Sequence, residues 1–283
     1  MGEPRDLSTY WRPAVGGVEV LHAHFRRHRY PRHTHDAVTV ALVDSGAASF
    51  LYRGETHTAA AGDVFVIDAG EVHTGVLAHP QGYRYRVLYL APGTLERLQD
   101  DDSAGDRARR RASGYRETVI RDTRLAALLG RVHDALRPPG NPMLQEVLLA
   151  RFARALAEGY GYGPVDAVRP EPPRAGHRAV AMARAYLEDR LADKVSLHDL
   201  AAQTCVSPYR LARLFNAEVG MPPHTFQNLL RVQRARQLLA GGARAAGIAR
   251  EVGFYDQAHL NRVFKRYTGV TPHQFRVGTR GPR

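Results

Sequence analysis

The last hundred residues of the chain contain one sequence unit twice. Shifted by 49 positions against themselves, they give seven identities: Leu211/Leu260, Arg213/Arg262, Phe215/Phe264, Gly220/Gly269, Pro223/Pro272, His224/His273 and Phe226/Phe275. A segment that recurs at a fixed offset predicts one structural unit built two times. The repeat therefore constrains the fold of the C-terminal third more than any other feature.

Each copy has the pattern of a helix-turn-helix, with a short amphipathic helix, a three-residue turn and a second helix. In the first copy Ser207 is the predicted N-cap, Pro208 suits the first helical position, and Gly220 follows the last turn. In the second copy Asp256 is the predicted cap and Gly269 the stop. Two capped second helices are therefore predicted.

Between the copies, residues 226–240 contain no helix breaker, and they predict a rigid connecting helix. The buried stripe of each second helix leaves polar side chains facing outward. Arg paired with guanine, and Asn or Gln with adenine, have the geometry that reads the major groove. The residues predicted to read bases are Tyr209, Arg213, Asn216, Gln257, Asn261 and Arg262. Those predicted to hold phosphates are Arg210, Arg231, Lys265 and Arg266. Simple solvation is the alternative for each.

The net charge is concentrated in the same region. Residues 177–283 hold 17 Lys and Arg against 7 Asp and Glu, a net charge of +10, whereas residues 1–176 contribute +2. A concentrated positive field attracts polyanions, so double-stranded DNA is the expected partner. A merely basic surface is the alternative that charge alone does not exclude.

Residues 195–276 resemble the tandem helix-turn-helix domain of the AraC/XylS family of transcription regulators. The matching second-copy signature is residues 248–254, followed by Gln257, Arg262, Phe264, Lys265, Arg266, Gly269, Thr271 and Pro272. Cys205 departs from the family, because that turn position usually holds glycine, as Gly253 does in the second copy. A left-handed backbone there would strain a cysteine. The resemblance implies a DNA-binding regulator, with RNA polymerase as a further partner.

Residues 17–90 predict short strands at 37–43, 48–52, 64–67 and 83–89, punctuated by glycines. This pattern is typical of an antiparallel sandwich or barrel. Two amphipathic helices are predicted at residues 121–136 and 142–158, where they pack on the strands or pair protomers.

The strand-rich region resembles the cupin-like sensor domain found in many members of the family. The matching residues are His33, Thr34, His35, Gly46, Gly62, Asp63, Asp68, Ala69, Gly70 and His73. The expected fold class is α+β with two domains: a cupin-like β-barrel with following helices, then an all-α domain. The predicted boundaries are an arm at 1–16, a sensor and dimerisation domain at 17–160, a linker at 161–176 and a DNA-binding domain at 177–283. The resemblance also implies a small-molecule effector in the barrel, a homodimer, and an arm that closes over the ligand.

In metal-bearing cupins, three histidines and a glutamate hold one ion. His33, His35 and His73 take the histidine positions, whereas Thr39 stands where the glutamate is expected. Three neutral imidazoles still suit zinc or iron. A polar pocket without a cofactor is the interpretation we favour, and a metal is the alternative. The other predicted pocket residues are Tyr52, Arg86, His22 and His24.

The composition also bears on other function classes. Cys205 is the single cysteine, so internal disulfides and zinc sites built on cysteine pairs are excluded. No long apolar run or signal-like segment occurs, so a cytoplasmic protein without a membrane span is expected. The main rival is a metal-dependent cupin enzyme with a basic appendage, and the missing glutamate argues against it. An alkyl-transfer protein would need Cys205 as its nucleophile, an unfavourable place in a turn. No enzymatic activity is expected.

Overall fold

The computed structural model describes residues 5–99, 114–161 and 176–280. The chain divides into a strand-rich unit and a helical unit. The strand-rich unit comprises Met1–Arg29, Thr34–Val168 and Val277–Arg283, and the helical unit comprises Tyr30–His33 and Arg169–Arg276. Of the predicted linker, residues 161–176, all but the two end residues lie outside the described part of the chain. The expected two-domain α+β organisation is confirmed.

Nine strands are described. They are β1 (Leu7–Trp11), β2 (Val18–Phe25), β3 (Tyr30–His33), β4 (Val38–Tyr52), β5 (Glu55–Ala60), β6 (Val64–Ile67), β7 (His73–Leu77), β8 (Tyr83–Leu90) and β9 (Val119–Ile120). The sheet follows the order β1-β2-β8-β4-β6-β9, and β5 and β7 pair with β4. Among the described residues this path does not return on itself, so the sheet is open where a closed barrel was expected.

The predicted strands at 37–43 and 48–52 are joined in the structure into β4, a single strand of 15 residues. Its pairing with β8 shifts register between Val43 and Ser45. Such a bulge bends a strand without ending it, which is why the glycine at this point does not mark a turn between two strands.

Helices cover one face of the sheet. α1 (Thr94–Gln99) is short, and α2 (Thr123–Ala135) and α3 (Pro142–Tyr160) match the predicted helices within two residues at each end. The core between sheet and helices includes Val20, Val40, Leu88, Leu129 and Phe152, all 0% exposed. The alternate residues of β2, β4 and β8 face away from these helices.

Part of the predicted arm belongs to the sheet. β1 pairs antiparallel with β2, and Trp11 lies opposite Val20. The Trp11 side chain is buried, and its Nε1 donates a hydrogen bond to the Leu136 carbonyl at 2.7 Å. Because burial of this indole stabilises the strand, residues 7–11 form a sheet edge and not a loose arm.

Seven helices lie in the described part of the helical unit, and the last of them extends two residues beyond it. They are α4 (His177–Asp189), α5 (Leu197–Thr204), α6 (Pro208–Val219), α7 (Pro223–Ala240), α8 (Ala245–Ile248), α9 (Gln257–Thr268) and α10 (Pro272–Gly278). The predicted buried stripes are confirmed, since Leu211, Phe215, Leu260 and Phe264 are 0% exposed. The connecting helix α7 has 18 residues, which gives a length of about 27 Å. No helix in the described ranges is long and apolar enough to cross a membrane.

Candidate nucleic-acid interface and effector pocket

The first helix-turn-helix consists of α5 and α6. Ser196 and Asp199 form a capping box at the start of α5, with the Asp199 carboxylate accepting from the Ser196 backbone N–H at 2.8 Å. Cys205 is in the left-handed region with φ of +55°, and it is exposed. Ser207 caps α6 by accepting from the Arg210 backbone N–H at 3.4 Å. The predicted cap and the left-handed turn are both confirmed.

The second helix-turn-helix consists of α8 and α9. Gly253 takes the left-handed position in its turn, with φ of +84°. Asp256 caps α9 by accepting from the His259 backbone N–H at 2.6 Å, and Gly269 ends the helix with φ of +74°. The predicted start and stop of α9 are confirmed.

The outward face of α6 carries the first set of predicted base-reading residues. Tyr209 is 74% exposed, and Arg213 and Asn216 are also exposed. Leu211 and Phe215 point into the core from the same helix. An exposed face of this kind, held on a buried stripe, is available to a major groove.

The corresponding face of α9 is less uniform. Gln257 and Arg262 are exposed, whereas Asn261 is half-buried. Of the predicted phosphate-binding residues, Arg210 and Arg266 are exposed and Lys265 is half-buried.

Tyr255 is a surface residue that the sequence analysis missed. It is 83% exposed and immediately precedes the cap of α9. In a sequence pattern, an isolated aromatic residue is assigned to the core by default. Tyr255 could have been recognised as exposed from its position directly before the N-cap of α9, which lies outside the buried stripe of that helix.

Arg231 is used differently from its prediction. Its Nε donates to the Leu191 carbonyl at 2.8 Å, and its Nη2 donates to the Asp193 carbonyl at 2.7 Å. Burial lowers the pKa of this guanidinium below its usual value. A phosphate contact needs an outward guanidinium, so these bonds favour a structural role.

A second group of side chains lies on the sheet face that points away from α2 and α3. The strand register places Thr39 opposite Tyr89, and Tyr52 opposite His73. The His35 ring is 4.9 Å from the His73 ring and 5.5 Å from the Tyr89 ring, between centroids. The sequence therefore brings at least these polar groups to one face.

The histidines are held in defined tautomers. Nδ1 lies 2.8 Å from the Ala37 carbonyl in His35, 2.9 Å from the Glu71 carbonyl in His73 and 2.9 Å from the Pro31 carbonyl in His33. A carbonyl only accepts, so each Nδ1 carries the proton and Nε2 is the basic nitrogen.

Burial also favours the neutral form of the His73 imidazole. It lowers the pKa of His73 to about 4. Thr39 Oγ1 lies 3.0 Å from His35 Nε2, where its hydroxyl donates to the basic nitrogen. Tyr52 donates its hydroxyl hydrogen to Asp68 at 2.9 Å, and burial raises the pKa of this phenol.

Three predicted pocket residues lie on the opposite face of the sheet. His22 pairs opposite Arg86 in the β2–β8 register, and His24 shares their face because side chains alternate along a strand. Arg86 forms ion pairs with Asp44 and with Asp134 of α2, each at 3.0 Å. His22, His24 and Arg86 therefore face the helices instead of joining His35 and His73.

Two family models match the chain. Residues 15–153 match the AraC-like ligand binding domain, and residues 200–277 match a helix-turn-helix domain. The uncharacterized HTH-type transcriptional regulator YbfI of Bacillus subtilis is 24% identical over 82% of this chain and 82% of that protein. The arabinose operon regulatory protein of Escherichia coli is 37% identical over 48% of this chain and 43% of that protein. Among solved structures, unsaturated fatty acid bound ToxT of Vibrio cholerae has a TM-score of 0.50 and 13% identity, covering 98% of this chain and 97% of that one.

Proposed function

This chain is a member of the AraC/XylS family of transcription regulators with a ligand-binding domain. We propose that it reads DNA by placing α6 and α9 in successive major grooves, about 10 base pairs apart on one face of the duplex. Tyr209, Arg213 and Asn216 read bases in one groove. Gln257, Asn261 and Arg262 read bases in the next.

One observation carries this assignment. Arg213 and Arg262 occupy equivalent positions of the repeat, and both are exposed on helices whose opposite stripes are fully buried. Arg210, Lys265 and Arg266 supply phosphate contacts, which position the protein without reading sequence. Tyr255 is a further proposed contact, because it is exposed directly before the start of α9, the helix proposed to enter the groove.

A footprint of the full chain on the DNA upstream of its own gene tests the proposal. We expect protection in two adjacent major-groove segments, and a change in protection with one compound of a metabolite panel. Protection of a single groove segment would contradict the two-groove arrangement. Protection that no compound changes would contradict control by a small molecule.

The effector site that we propose is the sheet face that carries His35, His73, Thr39 and Tyr89. An unprotonated Nε2 accepts a hydrogen bond, so a ligand hydroxyl or N–H can take the place of the Thr39 hydroxyl at His35 Nε2, and the neutral His73 imidazole offers no charge to an anion. The site therefore favours a ligand with a hydroxyl or N–H group, and an aromatic or apolar body suits the neighbouring rings. The ToxT structure holds an unsaturated fatty acid, so this preference would separate the two proteins.

A metal ion is the alternative occupant. The donor set fits zinc or iron, because three neutral imidazoles have Nδ1 fixed by backbone carbonyls and Nε2 as the donor atom. The ion would leave an open coordination position for a ligand. Elemental analysis of the purified chain decides between them. One equivalent of metal, lost in His73→Ala, would support the ion, and less than a tenth of an equivalent would support the metal-free pocket.

We further propose that the chain forms a homodimer through α3. Met143 is 75% exposed, Leu144 49% and Val147 51%, and together they form an apolar patch on the first two turns of that helix. Exposed apolar side chains grouped in this way mark contact surfaces. RNA polymerase is the additional partner, and the cytoplasm is the location that we propose from the DNA-binding role.

A further inference from the structure

We infer that Arg231 and Gln227 of α7 fix the angle between the two helix-turn-helix copies, and so determine which groove spacing the protein accepts. The inference rests on the proposed two-groove binding. It assigns to Arg231 a positioning role in place of a phosphate contact.

The first observation is a set of hydrogen bonds from α7 to the chain segment that follows α4, residues 190–193. The Gln227 amide donates towards the carbonyls of Arg190 at 3.3 Å and Asp193 at 3.0 Å. Arg231 donates to the carbonyls of Leu191 and Asp193 at 2.8 and 2.7 Å. Gln227 is only 6% exposed. Removing these donors leaves part-buried carbonyls without these bonds, which costs stability.

The second observation is that the same segment packs on the turn of the second copy. A Cβ placed on Gly253 would lie 2.7 Å from the Ala192 Cα and 2.7 Å from Arg231 Nε. The Arg231 guanidinium carbon is 6.0 Å from the centre of the Phe254 ring. The segment 190–193 is thus held between the connecting helix and the second turn.

The equivalent position of the first copy shows that this contact is specific to the second. Cys205 has the same left-handed backbone, yet its side chain is exposed. The exposed Cys205 side chain has room there, whereas the Gly253 position is closely packed. Close packing, in addition to the positive φ, requires glycine in the second copy.

The segment is also fixed to the first copy through α4. This helix packs against α5 and α6. It buries Val180, Ala183 and Leu187, which are at most 1% exposed. A contact chain therefore runs from the first copy through α4, residues 190–193 and Arg231 to the second turn.

A rigid joint makes DNA binding selective for spacing. One inserted base pair rotates the second groove by roughly 34° about the duplex axis and moves it by about 3.4 Å. A fixed pair of recognition helices cannot follow this change without losing contacts in one groove. Loosening the joint allows both helices to adjust, at a cost in affinity for the natural spacing.

The test uses the full chain and a duplex that the wild type selects from a random library, with and without one base pair inserted midway between the protected grooves. Arg231→Met keeps the length of the side chain and removes its donors. Arg234→Met is the matched control, because Arg234 is exposed on the same helix and donates a hydrogen bond to Gln237 within that helix.

For the wild type and Arg234→Met we expect the insertion to weaken binding more than tenfold. For Arg231→Met we expect weaker binding to the selected duplex and a ratio between the two duplexes of less than about threefold. Arg231→Lys, which keeps the charge and part of the hydrogen bonding, should give an intermediate ratio and serves if the Met variant does not fold.

An unchanged ratio in both Arg231 variants would overturn the inference, since a purely structural role lowers affinity for both duplexes alike. A wild type that selects no duplex would instead contradict the proposed function itself. The two failures are therefore distinguishable.

Discussion

The guanidinium of Arg213 lies over the ring of Tyr209, with its Cζ 5.9 Å from the ring centroid. The two residues are one turn apart on the exposed face of α6. A cation near an aromatic face is attracted by the ring quadrupole, so Tyr209 restricts the directions in which Arg213 extends. At an exposed site such a contact is worth about 0.5–1 kcal/mol, so it favours one direction of a side chain that is proposed to read bases.

Base reading by the two equivalent arginines can be tested by measuring the affinity of variants for DNA duplexes of different sequence. Arg213→Ala and Arg262→Ala should each cost about 1–3 kcal/mol on the selected site and relax preference at one position. Arg266→Ala should weaken binding to all sequences alike, because phosphate contacts carry no sequence information. Binding titrations on the selected and scrambled duplexes measure both effects. Equal losses on the two duplexes for all three variants would contradict the assignment.

The two left-handed turns should respond oppositely to substitution. Cys205→Gly relieves left-handed strain and should stabilise the fold by about 0.5–1 kcal/mol after the added flexibility of the unfolded chain is subtracted. Gly253→Ala adds the same strain and a contact with residue 192, so we expect a loss of more than about 2 kcal/mol. Urea unfolding measures both changes. A Gly253→Ala chain as stable as the wild type would refute the packing described for that turn.

Acid should destabilise the strand-rich unit because two buried histidines resist protonation. Burial lowers the pKa of His73 to about 4 and that of His133 to about 3. The unfolded chain takes up these protons near pH 6.5, so stability is fully present above that pH and is lost as the pH falls towards 4.

The size of this effect is about 3 kcal/mol for His73 alone, from a shift of about 2.5 units at 1.36 kcal/mol per unit. Unfolding in urea at pH 7 and at pH 4.5 measures the loss. His133→Phe fills the same buried space beside Trp11 without a titratable group, and it should reduce the pH dependence. A wild type equally stable at both pH values would be inconsistent with neutral buried imidazoles.

The proposed ligand preference can be tested with a matched pair of small compounds. Benzyl alcohol offers a hydroxyl donor, whereas benzoate offers only acceptors and a negative charge. At ten times its Kd a ligand stabilises the fold by about 1.4 kcal/mol, which for a protein of this size raises the melting temperature by roughly 2–3 °C. We expect such a shift with the alcohol and none with benzoate, and loss of the shift in His35→Phe. Stabilisation by benzoate alone would reverse the proposed polarity of the site.

If two protomers pair through α3, a substitution in its apolar patch should change the oligomeric mass of the protein. Val147→Glu places a charge in the apolar patch and should convert a dimer to a monomer in sedimentation experiments, since burying an unpaired charge is unfavourable. Glu158→Lys, at the exposed end of the same helix, is the control and should leave the mass unchanged. A dimer that persists in Val147→Glu would place the interface elsewhere.

The helical unit could be predicted closely because its signals are local. Ser207 and Asp256 cap their helices within three residues, and Gly220 and Gly269 end them at left-handed positions. The role of Arg231 could not be predicted, because its acceptor on residue 191 lies 40 positions away in the sequence. A pattern of helical faces identifies an outward arginine but not the carbonyls that hold it.

The sheet faces were predictable only in part. Alternation implies that His22 and His24 share a face, but it does not tell which face the helices cover. That choice depends on the β2–β8 register and on the packing of α2 against it. Burial of Trp11 likewise depends on Leu136, at the other end of the strand-rich sequence, so the arm could not be distinguished from an edge strand.

Strand β1 also has a protective consequence for the whole molecule. It covers five positions along β2, from residue 20 to residue 24. If a protease removed the first dozen residues, the backbone N–H and C=O groups on that side of β2 would be left without partners, and an uncovered strand edge is a template for pairing with another chain. By covering this strand edge, the amino-terminal segment protects the protein against aggregation. Tags or truncations that disturb it should therefore lower solubility, independently of DNA or effector binding.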